Sequence, residues 1–134
     1  MNNFTNALGI DVGSVRIGVA RVNAIARLPE PLCVLKNDGS FQAELNKLIN
    51  EYDIDLLVIG LPRNMSGQET KQSEYVKAFV NEYLAAFSTP HVFQDETLST
   101  VGAKDRMLSK SDGQLGIDAH AAAIILDDFL ATQS

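Results

Sequence analysis

Residues 7–22 of this 134-residue chain read ALGIDVGSVRIGVARV. Residues 7–12 are apolar apart from Asp11 near their end, a pattern typical of a short buried strand. Gly13 and Ser14 indicate a turn, and residues 16–22 indicate a second strand. Because the two strands are this close in sequence, we expect an antiparallel hairpin whose first strand ends on an acid.

The rest of the chain alternates between strand-like and helix-like segments. Apolar runs predict three further strands, over residues 31–36, 55–60 and 91–95. Helical periodicity predicts four helices, over residues 40–52 with Ser40 as N-cap, 71–87, 99–108 and 118–130. Polar, glycine-containing segments predict loops over residues 60–69 and 109–116. This order predicts an α/β domain with a mixed sheet.

Length and composition narrow the class of protein. A chain of 134 residues is the size of one domain, which we expect to span residues 1–134. Hydrophobic residues make up 46% and charged residues 21%, which excludes disorder and coiled coil as descriptions of the whole chain. The only cysteine, Cys33, has no partner for an internal disulfide.

The charge balance and the apolar runs bear on location and partners. With 11 basic and 17 acidic residues the net charge is −6, so a broad positive surface for nucleic acid is not expected. A nucleic-acid site would have to be local and to include bound metal. The sequence has no signal-peptide pattern and no apolar run that could span a bilayer, so the cytoplasm is the expected location and no membrane partner is expected.

Acidic residues occur where predicted elements end or begin. Asp11 ends the first strand, Asp95 and Glu96 end the fifth, and Asp118 opens the last helix. Functional side chains of α/β sheets gather at the carboxyl ends of strands. Carboxylates that converge there stay ionised together only with cations between them, and such oxygen ligands suit Mg²⁺ or Mn²⁺. Two ions about 3.5–4 Å apart can activate water against a phosphodiester, which predicts a metal-dependent nuclease.

Each acid also has a simpler interpretation. Asp118 could be only a helix N-cap, and Asp11 could be only a turn residue before Gly13. Asp95 and Glu96 are adjacent in a strand, so they point to opposite sides and at most one joins a site easily. The residues alone do not choose between these two carboxylates.

Four blocks of sequence together resemble one family. They are residues 8–20 (LGIDVGSVRIGVA), 58–69 (VIGLPRNMSGQE), 95–100 (DETLST) and 117–126 (IDAHAAAIIL). In this order they are similar to the motifs of the YqgF family, also called RuvX, whose members are described as Holliday junction resolvases or pre-16S rRNA nucleases. The first block alone is also similar to the Asp-x-Gly hairpin of actin-like ATPases.

The resemblance implies an RNase H-like fold, a five-stranded mixed sheet flanked by helices. It implies Asp11, Glu96 and Asp118 as catalytic and metal-binding residues for Mg²⁺ or Mn²⁺, and it selects Glu96 over Asp95. It also implies that Arg16 and the loop residues Asn64, Gly67 and Glu69 line the substrate side. The alternatives are a surface arginine paired with a strand neighbour, and a rigid turn built by Asn64 and Gly67.

The chain departs from the family pattern at basic positions. The family usually has lysine where this chain has Val15, arginine where it has Thr97, and a basic loop where residues 109–116 hold one lysine and one aspartate. Because phosphate contacts supply much of nucleic-acid affinity, these differences predict weaker substrate binding or reduced activity. A ribosomal or other basic protein partner could supply the missing positive surface.

The implied activity is cleavage of a structured nucleic acid, either precursor 16S rRNA in ribosome biogenesis or branched DNA. The sequence does not choose between RNA and DNA, nor between a monomer and a homodimer. Two other functions remain open at this point. One is a non-catalytic module that binds nucleic acid or a protein partner, and the other is half of a nucleotide-binding ATPase.

Overall fold

The computed structural model describes residues 3–64, 66–96 and 116–133. Within them, five strands form one sheet: β1 (Asn6–Val12), β2 (Arg16–Asn23), β3 (Glu30–Lys36), β4 (Leu56–Pro62) and β5 (His91–Glu96). The helices are α1 (Phe41–Glu51), α2 (Lys71–Tyr83) and α3 (Gly116–Ala131). The predicted helix over residues 99–108 and nearly all of the predicted loop over residues 109–116 lie outside the described residues.

The sheet is mixed, with strand order β3-β2-β1-β4-β5. The hairpin predicted from the first block is present, because β1 pairs antiparallel with β2 and β2 antiparallel with β3. β1 pairs parallel with β4, and β4 parallel with β5, so the carboxyl ends of these three strands lie at one edge. The predicted five-stranded mixed sheet flanked by helices is confirmed.

Helices cover both faces of the sheet. Alternate residues of β1 such as Leu8 and Ile10 pack with Phe41 of α1 and Phe79 of α2. The opposite face packs against α3, where a second cluster is formed by small and apolar residues: Ala7, Ala20, Val22, Leu56, Val58, Ala122, Ala123, Ile125, Leu126, Phe129 and Leu130. Two separate layers of apolar contact therefore fix the sheet between α3 and the α1–α2 pair.

Several predicted boundaries move. β4 continues through Pro62 rather than ending at Gly60, because β5 pairs with it as far as Glu96. α2 ends at Tyr83 rather than at residue 87, and the N–H of Leu84 closes the helix on the carbonyl of Val80. The N–H of Ala85 donates to the same carbonyl at 3.1 Å, so the regular helical hydrogen-bond pattern ends there.

Ser40 occupies the N-cap position of α1, directly before Phe41, but its side chain does not cap the helix. Its backbone is in the helical region, with φ −87° and ψ −10°, and the side chain makes no capping hydrogen bond. The hydroxyl of Ser40 donates instead to the Asp38 carboxylate, which also accepts the Ser40 N–H at 2.8 Å. These hydrogen bonds lower the pKa of Asp38. The prediction of a serine cap was therefore wrong, because Asp38 competes for the hydroxyl.

Glycines let α3 lie directly on the strands. A Cβ added at Gly9 would come within 2.6 Å of the Ala122 carbonyl oxygen, and one added at Gly18 would overlap the carbonyl of Asp118. A Cβ at Gly60 would overlap the side chain of Ile125. Real Cβ atoms do not approach other atoms so closely, so Gly9 and Gly18, which face helix backbone, require glycine for α3 to lie where it does, whereas a Cβ at Gly60 would displace the Ile125 side chain.

No helix within residues 3–64, 66–96 and 116–133 has both the length and the hydropathy that are needed to cross a bilayer.

Gly18→Ala should lower the free energy of unfolding by about 3 kcal/mol, because the added methyl overlaps the helix backbone and α3 cannot yield without leaving the sheet. Gly39→Ala is the matched control, since a Cβ at Gly39 meets no atom within 4 Å. Its change should stay within about 0.5 kcal/mol. Urea unfolding followed by circular dichroism measures both variants. Equal stability of the two would contradict the close packing of α3 on β2.

Candidate active site

A pocket of about 190 Å³ opens at the sheet edge where β1, β4 and β5 end. Asp11 and Glu96 both line it. Its other lining residues are Val12, Gly60, Pro62, Gln72, Val76 and Ile125. The three strands, helix α2 and helix α3 thus all contribute residues to one small cavity, which is lined by two of the predicted carboxylates.

Strand geometry explains why these two acids meet. Asp11 lies two residues after Gly9 in β1 and therefore on the same sheet face, toward α3. Glu96 ends β5, which runs parallel to β4 beside it. Between them Gly60 leaves space, because a Cβ there would touch the Cγ of Glu96 at 3.7 Å. The missing side chain at Gly60 is what gives the pocket its room.

Asp118 lies over the neighbouring strand. It is the third residue of α3, which excludes the alternative that it is the N-cap of this helix. Its backbone carbonyl sits against Gly18, and Gly18 is the β2 partner of Asp11. The close packing of α3 thus brings the third predicted acid one strand away from the first.

Arg16 holds the carboxylate of Asp118. Its Nε donates to Asp118 Oδ2 at 2.9 Å, and the aspartate side chain is 24% exposed. Arg16, at the start of β2, therefore lies beside one of the predicted acids and pairs with a residue of α3 rather than with a strand neighbour. In this arrangement the guanidinium faces an acid rather than solvent alone.

The donor set fits a magnesium-type ion at two of the three acids. Mg²⁺ is usually held by one or two carboxylates together with water and substrate phosphate, and Asp11 and Glu96 offer that set in one pocket. Across residues 3–64, 66–96 and 116–133, no three or more His, Cys, Asp or Glu side chains are grouped so that they could hold a metal ion. Asp118, paired with Arg16, would have to leave that partner to join the other two.

Asp95 and Glu96 point to different environments. Glu96 lines the pocket, whereas Asp95 accepts a 2.8 Å hydrogen bond from Nε of Arg63 and is 61% exposed. The alternation of a strand is responsible, since adjacent residues face opposite sides. Of the two adjacent acids, Glu96 is the one that shares the pocket with Asp11.

Asn64 and Gly67 build a turn after β4. Asn64 Oδ1 accepts the N–H groups of Ser66 and Gln68, each at 2.9 Å, and its Nδ2 donates to the Gln68 side chain at 3.2 Å. Gly67 has φ +78°, a conformation that favours glycine. The oxygen of the Asn64 side chain is therefore engaged in loop structure, as the turn interpretation expects.

Glu69 belongs to the start of α2. Its Oε1 lies 2.7 Å from Nζ of Lys77, and the hydrogen bond from Lys77 lowers the pKa of the Glu69 carboxyl. The glutamate is therefore ionised at neutral pH and matched by a cation. The pocket lining does not include it.

Gln72 is a pocket residue that sequence reasoning missed. It lies in the first turn of α2, and its Nε2 donates to the Val12 carbonyl oxygen at 3.3 Å. The side chain thus fastens the backbone that follows Asp11 while lining the same pocket. No sequence signal indicated this role, because Gln72 and Val12 are 60 residues apart and meet only in the folded chain.

Of the basic positions that depart from the family pattern, one is described. Val15 is 68% exposed at the tip of the β1–β2 hairpin, so the position usually held by lysine presents an apolar side chain to solvent. Thr97 lies outside the described residues, and so do residues 109–115 of the predicted loop that precedes Asp118.

Asn64→Ala should lower the free energy of unfolding by about 1 kcal/mol, because two backbone N–H groups lose their acceptor. Asn64→Asp keeps that oxygen and should stay within about 0.5 kcal/mol of the original protein. Urea unfolding compares the two. If Asn64→Asp were as unstable as Asn64→Ala, the acceptor role assigned to Oδ1 would be wrong.

Solved structures share the fold. RuvC from Thermus thermophilus, in complex with a Holliday junction substrate, superposes with a TM-score of 0.59 at 16% identity and covers 96% of each chain. The fowlpox virus Holliday junction resolvase gives a TM-score of 0.56 at 10% identity, over 96% of this chain and 99% of that one. At such identities the likeness establishes the fold, and it confirms the RNase H-like architecture.

Sequence relatives are closer. A protein of Thermoanaerobacter pseudethanolicus named "Putative pre-16S rRNA nuclease" is 34% identical, over 94% of this chain and 96% of its own. A protein of the same name from Paraburkholderia phymatum is 37% identical, over 92% of this chain and 83% of its own. The family model described as RuvX, Holliday junction resolvase, matches residues 5–132. The chain therefore belongs to the RuvX (YqgF) family of nucleases.

Proposed function

We propose that this chain is a divalent-metal-dependent endonuclease that cuts a phosphodiester bond of structured RNA, the 16S rRNA precursor. The observation that carries the proposal is the pair of carboxylates, Asp11 and Glu96, in one pocket at the carboxyl edge of the sheet. Membership of a nuclease family and the names of the curated relatives support it.

The roles follow from position. Asp11 and Glu96 would hold Mg²⁺ or Mn²⁺ from two neighbouring strand ends, and Asp118 would complete the set once it leaves Arg16. The ion would supply a nucleophilic water at neutral pH and would neutralise charge that develops on the phosphoryl group. Arg16, released from Asp118, would have its guanidinium free to bind a substrate phosphate.

The remaining loop residues have smaller roles. Asn64 and Gly67 shape the turn beside the end of β4, so that backbone groups of the loop, rather than the Asn64 oxygen, would face the substrate. Glu69, matched by Lys77, would remain at the rim and keep the start of α2 in place. Gln72 would hold the Val12 backbone and thereby the direction of Asp11.

Branched DNA is the second candidate substrate. The description of the family model as a Holliday junction resolvase favours it. Because Val15 is exposed where a cation would contact phosphate, weaker binding is expected for either substrate. A basic ribosomal protein could supply the missing positive charge, but only in the rRNA pathway. We favour the rRNA precursor for this reason, with a single domain over residues 1–134 acting in the cytoplasm as a monomer or homodimer.

Asp11→Asn should abolish metal-dependent cleavage while leaving the fold intact. The test incubates a labelled 16S precursor leader and a four-way DNA junction with Mg²⁺ or Mn²⁺. We expect cutting of the leader, reduced at least about 100-fold in the variant, because a neutral amide holds a divalent ion poorly.

Asp53→Asn is the matched control, since it removes one aspartate charge at the opposite edge of the sheet. Asp53 has φ +52°, a conformation that asparagine also adopts readily, so the variant should cut at the original rate. Cleavage of the junction alone would move the assignment to branched DNA. Binding of the leader without cleavage under either metal would contradict the nuclease and favour a non-catalytic binding module.

A further inference from the structure

We infer that Arg63 is a positioning residue that commits Glu96, rather than Asp95, to the carboxylate pocket. The inference deepens the proposed function and rests on it only for the metal that the pocket would hold. Arg63 lies in the second block of the family resemblance, residues 58–69, directly after β4. Neither the proposed roles nor the motifs assign it a task.

Arg63 contacts both residues of the acidic pair. Its backbone N–H donates to the Glu96 carbonyl oxygen at 2.8 Å, and its Nε donates to Asp95 Oδ1, also at 2.8 Å. Its Nη1 reaches the Gly67 carbonyl oxygen at 3.4 Å, at the far side of the turn. One residue thus ties the backbone of Glu96, the side chain of Asp95 and the loop after β4 together.

The pair needs such a restraint because its two members are chemically alike. Either carboxylate could face the pocket, and a shift of one residue in the pairing of β5 would exchange them. Among the strands that the structure describes, β5 is at the edge of the sheet and pairs with β4. The hydrogen bond from Arg63 holds the Asp95 side chain on the face away from the pocket, and strand alternation then directs the Glu96 side chain toward the pocket.

The environment of the guanidinium suits this task better than a substrate contact. The Arg63 side chain is 22% exposed, and Nε and Nη1 both have acceptors within the protein. The Asp95 hydrogen bond also raises the pKa of Arg63 above its usual value. A half-buried guanidinium held by these two hydrogen bonds has little freedom to reorient and bind a substrate phosphate.

A readout without metal tests the geometry directly. In the full chain, nuclear Overhauser contacts between the Glu96 γ protons and the Gly60 α protons should be visible, because a Cβ at Gly60 would lie 3.7 Å from Glu96 Cγ. Arg63→Gln should weaken these contacts at least about threefold. Arg21→Gln is the matched control: it breaks another arginine–carboxylate pair, the 2.6 Å contact between Arg21 on β2 and Glu30 on β3, and should leave the Glu96–Gly60 contacts unchanged.

Calorimetric titration with Mn²⁺ tests the consequence. Arg63→Gln and Asp95→Asn should each weaken binding about 10- to 100-fold, the range for residues that orient metal ligands, and the double variant should be no weaker than either. Arg63→Lys should recover part of the affinity through a bond to Asp95. Arg21→Gln should bind as the original protein does.

The outcomes separate the two proposals. Unchanged Glu96–Gly60 contacts in Arg63→Gln, or additive losses of Mn²⁺ affinity in the double variant, would overturn the positioning role. Loss of the contacts in a protein that never binds Mn²⁺ would support the positioning role and contradict the metal-dependent nuclease. Weaker binding of RNA with unchanged contacts and Mn²⁺ affinity would make Arg63 a substrate contact instead.

Discussion

The contact between α3 and the glycines of the sheet is the constraint on which the site depends. Gly9, Gly18 and Gly60 lie on three adjacent strands, and each faces helix backbone or an α3 side chain at a distance that no Cβ allows. The alanines of the helix complete the close approach. Because Asp118 is in the first turn of this helix, the same packing that buries the apolar face also sets how near Asp118 comes to Asp11.

Arginines compensate the acids around the pocket. Arg16 pairs with Asp118 on one side, and Arg63 pairs with Asp95 on the other, while Asp11 and Glu96 face the cavity between them. In a chain with net charge −6, carboxylates gathered at one edge of the sheet repel one another, and a cation bound between Asp11 and Glu96 would relieve that repulsion.

Much of the fold follows from local pattern. The hairpin of residues 7–22, the alternation after it and the mixed sheet were predicted because apolar period and turn residues act over a few positions. The role of Ser40 and the end of α2 do not follow from it, because hydrogen bonds decide them: the Ser40 hydroxyl bonds Asp38, and the N–H groups of Leu84 and Ala85 both bond the Val80 carbonyl. In the site, the positions of Asp11 and Glu96 follow from strand ends meeting at one edge.

The partners of the site residues required three dimensions. Sequence spacing says nothing of the 2.9 Å bond between Arg16 and Asp118, which are 102 residues apart, or of Gln72 reaching the Val12 backbone. The preference for Glu96 over Asp95 came from the family resemblance. The contacts of Arg63 with both residues supply a physical reason for that preference. Tertiary contacts of this kind leave no periodic signal along the chain.

The central claim is that the carboxylates gathered by this packing form a divalent-cation site. Anomalous diffraction from crystals grown with Mn²⁺ tests it most directly. The account predicts a manganese peak in the pocket, within ligand distance of Asp11 and Glu96, with the Asp118 carboxylate turned toward it and away from Arg16. A pocket without anomalous density at saturating Mn²⁺, with the Arg16–Asp118 pair intact, would contradict it.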